Sequence, residues 1–350
     1  MILVCYSLLL IVIISSQGVL MDKEAAKYVG CAHQVLQGDF HDLFGNYLKY
    51  SAYVLFLLPF VALGIPAGAV LVQIVLMVLA ALALRKLAIR LAEKLPCGDL
   101  AMALFLLCPF IQSWTLALYT EAFFTCVSIL FLERITRSRK PDAFVLLLGV
   151  ITVLARPVGL IFVGPALLWK VTKGNQWLFW SGCMVLLVLA LSIPGIRPAQ
   201  LGPIVSGQVL AGVPDDVLPD PTFVGTSILD AQLFLLKNLS FVEWLALIGR
   251  RMTSFFTLTR THFSTFHNLV NGTFYLLYPL AILGIWKHRR NSLLPLFFAI
   301  LLMNALLIGL THDEWSGRFM VPILPLVIVL ASAVVVKGTS LDGTRVTTVV

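Results

Sequence analysis

The sequence predicts an all-α polytopic membrane protein, on three observations. Of its 350 residues, 59% are hydrophobic and 12% charged, against about 25% charged in a soluble domain. Apolar runs near the roughly 20 residues that cross a bilayer recur along the chain. Lys and Arg gather in the short segments between alternate runs, as they do on the cytoplasmic side of membrane proteins. A transmembrane barrel would instead read as short segments of alternating polarity.

The first span runs from about Ile2 to Leu20. It lacks the basic start and the small-x-small site of a cleaved signal peptide, so a retained helix is expected. Residues 21–49 form a polar first outer loop holding Asp22, Lys23, Glu24, Lys27, Tyr28, His33, Asp39, His41 and Asp42. Within it Ala25, Ala26, Val29, Ala32 and Leu36 recur at helical spacing, predicting an amphipathic interfacial helix that ends at Gly38. Residues 50–84 are apolar but broken by Pro59, Gly64, Pro66 and Gly68. Two full spans there would put the following basic cluster outside, so one full span plus a re-entrant or interfacial piece is expected.

Further spans are expected at about 99–117, 119–133, 142–155, 157–169 and 177–194. Several are short, above all the pair meeting at Arg156-Pro157, and broken helices are tolerated where they line an enclosed cavity. Residues 195–271 form a long outer segment rich in proline, with the acidic run Asp215, Asp216 and Asp220. Its second half (Phe234, Leu235, Leu236, Leu239, Phe241, Trp244, Leu245, Ile248, Phe255 and Phe256) reads as interfacial helices. The last spans are about 273–286, 291–311 and 319–336, followed by a cytoplasmic tail, 337–350. With an inside N-terminus the total is about ten.

The charge pattern supports this orientation. The clusters Arg85/Lys86/Arg90/Lys94, Arg134/Arg137/Arg139/Lys140, Lys170/Lys173, Lys287/Arg289/Arg290 and Lys337/Arg345 fall inside, against only Glu93, Asp99, Glu133, Asp142 and Asp342. Acids slightly outnumber bases in what remains outside. The net charge of +8 therefore reflects orientation and gives no reason to expect a nucleic-acid partner. The six cysteines at 5, 31, 97, 108, 126 and 183 lie mostly in apolar runs without metal-type spacing, and read as small core residues.

Charges near membrane depth are costly, so each is a candidate for function. On this topology Asp22 and Glu24, Glu121, Arg156, and the His312/Asp313/Glu314/Arg318 group all fall at the outer ends of spans. Asp22 follows a fixed membrane helix and could take a proton from a hydroxyl nucleophile; on spacing alone, capping the helix beginning at Lys23 is the commoner role for an aspartate there. Glu121, in Tyr119-Thr120-Glu121, could meet substrate or simply complement a helix N-terminus. Arg156 interrupts an apolar stretch, where its fork suits phosphate oxygens or where it could snorkel to headgroups. The segment Thr311 to Phe319 could contribute to the same place or be an ordinary loop with an internal ion pair. Asn238-Leu239-Ser240 and Asn271-Gly272-Thr273 match glycosylation sequons.

The Asp after the first span, the Ala-rich helix ending in Gly38-Asp39-Phe40, Tyr119-Thr120-Glu121, Arg156-Pro157-Val158-Gly159-Leu160 and Gly317-Arg318-Phe319 with Pro322 and Pro325 occur in an order that resembles GT-C superfamily membrane glycosyltransferases. The nearest branches are RgtA/B/C/D-like, dolichyl-phosphate-mannose and PIG-V-like mannosyltransferases. The resemblance covers about residues 1–336. It implies a GT-C-like bundle and inverting transfer of a mannose-like hexose from a polyprenyl-phosphate donor to a lipid or glycan acceptor on the outer face. It further implies Asp22 as base, with Glu24, Glu121, Arg156, His312 and Arg318 binding substrate. No cofactor is implied; a divalent metal is compatible with the chemistry, but no ligand spacing supports one. Two departures stand out: Asp22-Lys23-Glu24 replaces a paired acidic signature, leaving Asp22 or Glu24 as base, and Phe319 stands where relatives carry tyrosine. A bacterial plasma membrane is expected, with the endoplasmic reticulum as alternative. The competing readings are a transporter or lipid flippase, which should place its charges near mid-membrane, and a noncatalytic scaffold.

Overall fold

Helices account for nearly all the regular structure in the computed structural model, which describes residues 1–138, 140–196, 198–211 and 222–335. Arg139, Pro214, Asp215, Asp216, Pro219, Asp220, Pro221 and the 337–350 tail with Lys337, Asp342 and Arg345 lie outside the described residues. The first helix, α1 (Ile2–Gln17), buries a single stripe of Tyr6, Leu10 and Ile13. Its other side exposes Leu3, Val4, Leu8, Ile11 and Val12, with no polar face that water would require.

The first loop folds as α2 (Glu24–Leu36) and the short α3 (His41–Gly45). The helix is where the spacing puts it and it ends before Gly38, whose φ of 86° suits glycine. Its buried stripe is rotated from the expected one, however. Ala25, Tyr28, Cys31, Ala32 and Val35 face inward, while Ala26 and Leu36 are exposed. Tyr28 decides the rotation, because its ring packs against Tyr47, Tyr50 and Tyr53, and four aromatic rings outweigh two small aliphatics.

Residues 50–84 split as expected into a short and a long piece. α4 (Ser51–Ala62) is only about 18 Å long and packs on α2, whereas α5 (Ala69–Ala92) has 24 residues and continues through Arg85, Lys86 and Arg90. α6 (Leu95–Leu106) and α7 (Pro109–Gln112) follow at a 52° bend. Pro109 causes it by holding Cys108 in extended backbone. Then come α8 (Thr120–Arg137), α9 (Ala143–Ala155), α10 (Gly159–Thr172) and α11 (Gln176–Leu191).

The α9–α10 hairpin is set by two residues. Pro157 forces Arg156 out of helical backbone, to φ −157° and ψ 147°. Gly159 then lets α10 press against α9, since a Cβ there would stand 2.2 Å from the Thr152 carbonyl oxygen.

The outer segment comprises α12 (Pro198–Val205), β1 (Leu210–Ala211), α13 (Ile228–Asn238), α14 (Phe241–Phe255) and α15 (Thr265–Thr273). Capping boxes start α13, from Ser227 and Asp230, and α14, from Ser240 and Glu243. α16 (Leu277–Lys287) and α17 (Leu294–Leu310) lead to β2 (Asp313–Glu314), which pairs in parallel with β1, and the described chain ends in α18 (Leu324–Val335). Asn271 of the second sequon is fully buried and donates to the Leu258 carbonyl at 3.1 Å, which closes it to modification; Asn238 of the first is exposed.

Two helices, α8 and α18, are buried on nearly every face and form the centre of the bundle. α5 packs against both, and α16 lies along α18. Outside this core, α5, α9 and α11 expose rows of Leu, Val, Met and Phe, a surface suited to lipid chains. Among the described residues, two helices, Pro66–Ala92 and Thr265–Lys287, can cross a bilayer by length and composition, and a third if the bent α6–α7 pair is one span. Seven further apolar helices have 10 to 17 residues. Cys31, Cys97, Cys108, Cys126 and Cys183 are buried as expected, but Cys5 is exposed on the outward side of α1.

Candidate active site

The two central helices begin at the same end of the bundle, and each carries a charge there. Glu121 is the second residue of α8, and Arg318 lies in the 3-10 turn before α18. Glu121 is 1% exposed, and its Oε1 accepts a hydrogen bond of 2.7 Å from Arg156 Nη1. The same oxygen lies 3.6 Å from Arg318 Nε. Arg318 also approaches Glu24 at 3.6 Å and Glu314 at 3.7 Å. Four segments that are remote in sequence thus close into one network of three carboxylates and two guanidiniums.

Backbone pairing brings the first loop to this place. Leu20 N–H donates to the Leu116 carbonyl and Leu118 N–H to the Leu20 carbonyl, both at 3.0 Å. The 115–119 stretch is itself held by Gln73, which donates to the Thr115 and Ala117 carbonyls and accepts from the Tyr53 hydroxyl. Asp22 therefore emerges beside Tyr119, whose hydroxyl lies 3.5 Å from the Asp22 carbonyl. Asp22 does not cap α2; the N-cap is Lys23, at φ 49° and with no side-chain cap bond. Positive φ is a strained state for lysine, and Lys23 reaches the 312–318 loop with its ammonium 5.6 Å from the Trp315 ring. The Asp22 residue is exposed at the mouth of the network.

Burial and charge act differently on the acids. Burial pushes the Glu24 carboxyl up, but Arg318 and Lys27, with a hydrogen bond from Tyr28 at 3.2 Å, bring it below its ordinary value. Glu314 is raised, because burial outweighs Arg318 and the hydrogen bonds from Ser316. Burial lowers the His312 imidazole, against a backbone bond to Asp313 and the Asp313 charge. Burial works against the Arg318 charge, yet Glu121, Glu314 and Glu24 raise it overall. Phe319 lies beneath both guanidiniums, with its ring centre 5.7 Å from Arg156 and 5.9 Å from Arg318.

Next to the network lies a cavity of about 260 Å³. Arg156 and His312 line its polar side, and Ile204, Ile228, Leu307 and Ile308 are among its apolar walls. Only one of Arg156's five N–H donors is committed to Glu121, so the rest can serve a ligand. An anionic head on an apolar chain matches this lining.

All six sequence-predicted site residues lie here. Glu24, Glu121, Arg156 and Arg318 form the ionic network, His312 faces the cavity, and Asp22 stands at the mouth. Asp313 does not join them. It forms a separate buried pair with Arg260 at 2.5 Å, both joined to the Ser254 hydroxyl. The 311–319 loop thus has an internal pair, Glu314–Arg318, and a second pair across to the outer segment. Tyr28, Glu314 and Arg260 were not assigned roles from sequence; the spacings of four in Glu24–Tyr28 and Glu314–Arg318 are the local signals among them. Among the described residues no group of three or more His, Cys, Asp and Glu could hold a metal ion. Comparison with family models, curated proteins and solved structures finds no match.

Proposed function

We propose that this chain is an integral membrane glycosyltransferase that moves a hexose from a polyprenyl-phosphate donor to an acceptor hydroxyl on the outer face. The observation that carries the reading is the convergence of Glu24, Glu121, Arg156 and Arg318 at one end of the bundle, beside an apolar cavity that Arg156 and His312 line. In this reading ten helices span, the shorter ones in a locally thinned bilayer, with the site on the outer side of a bacterial plasma membrane or, as the alternative, the lumenal side of the endoplasmic reticulum.

Asp22, exposed beside the network, takes the proton of the acceptor hydroxyl. The acceptor oxygen attacks the anomeric carbon as the bond to the phosphate oxygen breaks, inverting that centre, and the lipid phosphate leaves with its negative charge. Arg156 lines the cavity and is the guanidinium placed to meet that charge. Arg318 is already surrounded by three carboxylates, so its part is to hold Glu24 and Glu121 in place. Glu121 orients Arg156, and Glu24, held ionised by Arg318, is the reserve candidate for base. A transporter fits less well, because the network lies at the helix ends, and the other ionic pair of α8, Arg90–Glu133, lies at the opposite end of that helix rather than at its middle.

The test is transfer of radiolabelled hexose from polyprenyl-phosphate hexose to a crude lipid acceptor fraction by purified protein in detergent. Wild type should transfer, and a folded Asp22→Asn variant should lose on the order of 10²-fold or more. Equal transfer by both removes Asp22 from the mechanism. No transfer by wild type with any donor rejects the reading in favour of a transporter or scaffold.

A further inference from the structure

The far end of the bundle carries a second concavity with its own chemistry. It measures about 500 Å³ and lies between the end of α5 and the α16–α17 connection. Lys287, His288, Arg289 and Arg290 line it, with Glu93 and Asn291. Lys287, Arg289 and Arg290 are exposed and form no ion pair among the described residues. Among the described residues Glu93 is thus the single acid lining the cleft, against three basic side chains.

The cleft is built rather than incidental. Asn291 Nδ2 donates to the Arg90 and Leu91 carbonyls at 3.2 and 3.0 Å, which fixes the loop to the last turn of α5 and satisfies carbonyls that would otherwise weaken the positive potential. His288 Nε2 lies 3.3 Å from the Ala333 carbonyl, tying the other wall to α18. Glu93 closes α5 in a left-handed conformation, φ 58°.

What lies beside the cleft identifies the ligand. The last turns of α16 expose Ile282, Leu283 and Trp286 at 66%, 49% and 69%, an aliphatic strip running directly into the basic residues, with tryptophan at the junction, where membrane proteins place it. A free phosphate would use the cations and leave this strip idle. An anionic phospholipid uses both, its phosphate among Lys287, Arg289 and Arg290 and its acyl chains along α16. We propose that this cleft is a binding site for an anionic phospholipid on the face opposite the candidate active site.

Purified full-length protein in neutral detergent is titrated with fluorescent phosphatidylglycerol and phosphatidylcholine, with inorganic phosphate as competitor. Wild type should prefer phosphatidylglycerol, and the K287Q/R289Q/R290Q variant should weaken it on the order of 100-fold, about fivefold per cation. The control R137Q/K140Q/K173Q removes equal charge from exposed positions and should change affinity about twofold or less, since separated charges are screened at 0.15 M salt. Equal weakening by both variants, no headgroup preference, or inorganic phosphate displacing the lipid at equal concentration overturns the proposal. If the triple variant does not fold, photoreactive phosphatidylglycerol on wild type decides: labelling centred on 282–291 supports the site, and labelling elsewhere overturns it.

Discussion

Glu121 and Arg156 form one buried pair, yet replacing them should not cost the same. Glu121→Gln removes the acidic partner that Arg156 has among the described residues; the Arg156 side chain is 10% exposed, so its guanidinium is left in a poorly hydrated place. Loss of one member of a buried pair costs about 3–5 kcal/mol for this reason. Arg156→Gln leaves Glu121 with Arg318, 3.6 Å away, so the remaining charge stays compensated and the cost falls to about 1–3 kcal/mol, that of a lost charged hydrogen bond. The gap between the variants should be about 2 kcal/mol. In the double variant no unpaired charge remains, so it should be more stable than the sum of the single losses implies. Denaturant unfolding of the detergent-solubilised protein, followed by tryptophan fluorescence, gives all three values. If Arg156→Gln costs as much as Glu121→Gln, Arg318 does not share Glu121 and the network is wrong.

Three further outcomes are expected. His312, lowered by burial, is neutral in the folded protein, so the unfolded chain binds the extra proton and stability falls as pH drops below about 6.5; His312→Asn should flatten that part of a stability profile, and a profile unchanged by the substitution rejects the assignment. Gly159→Ala places a Cβ against the Thr152 carbonyl and should cost about 1–3 kcal/mol, read as a lower unfolding midpoint; no loss would mean α9 and α10 are not so close. Asp313→Leu alone should destabilise strongly by orphaning the buried Arg260, whereas Arg260→Met with Asp313→Leu should recover most of the loss; a double variant no better than the single would show that the pair is not the unit.

A good part of this site was legible before any coordinates. Arg156 is followed by proline, and that alone breaks α9 and holds the arginine in extended backbone at a helix junction. Asp22 and Glu24 come directly after the first apolar run, and Glu121 opens another, so their placement at helix ends follows from hydropathy. The division of 50–84 into a short piece and a long one followed from the basic residues after it. The buried face of α2 was misjudged, because aliphatic spacing could not anticipate that Tyr28 would pack against three tyrosines outside the helix.

What the sequence by itself determined was an all-helical chain with lipid-compatible surfaces and charges gathered at helix ends, since composition and local periodicity fix those. Which acid meets which arginine was decided only by tertiary structure. Glu24, Glu121, Arg156 and Arg318 are joined because Leu20 pairs with the 116–118 stretch and because the turn before α18 meets the start of α8. Asp313 and Glu314 show the limit most plainly. They are neighbours of like chemistry, and backbone direction in β2 sends one to a buried arginine of the outer segment and the other to the candidate site. Alternation along a strand guarantees that they part, but Asp313 finds its partner, Arg260, fifty-three residues away, whereas Glu314 meets Arg318 four residues on.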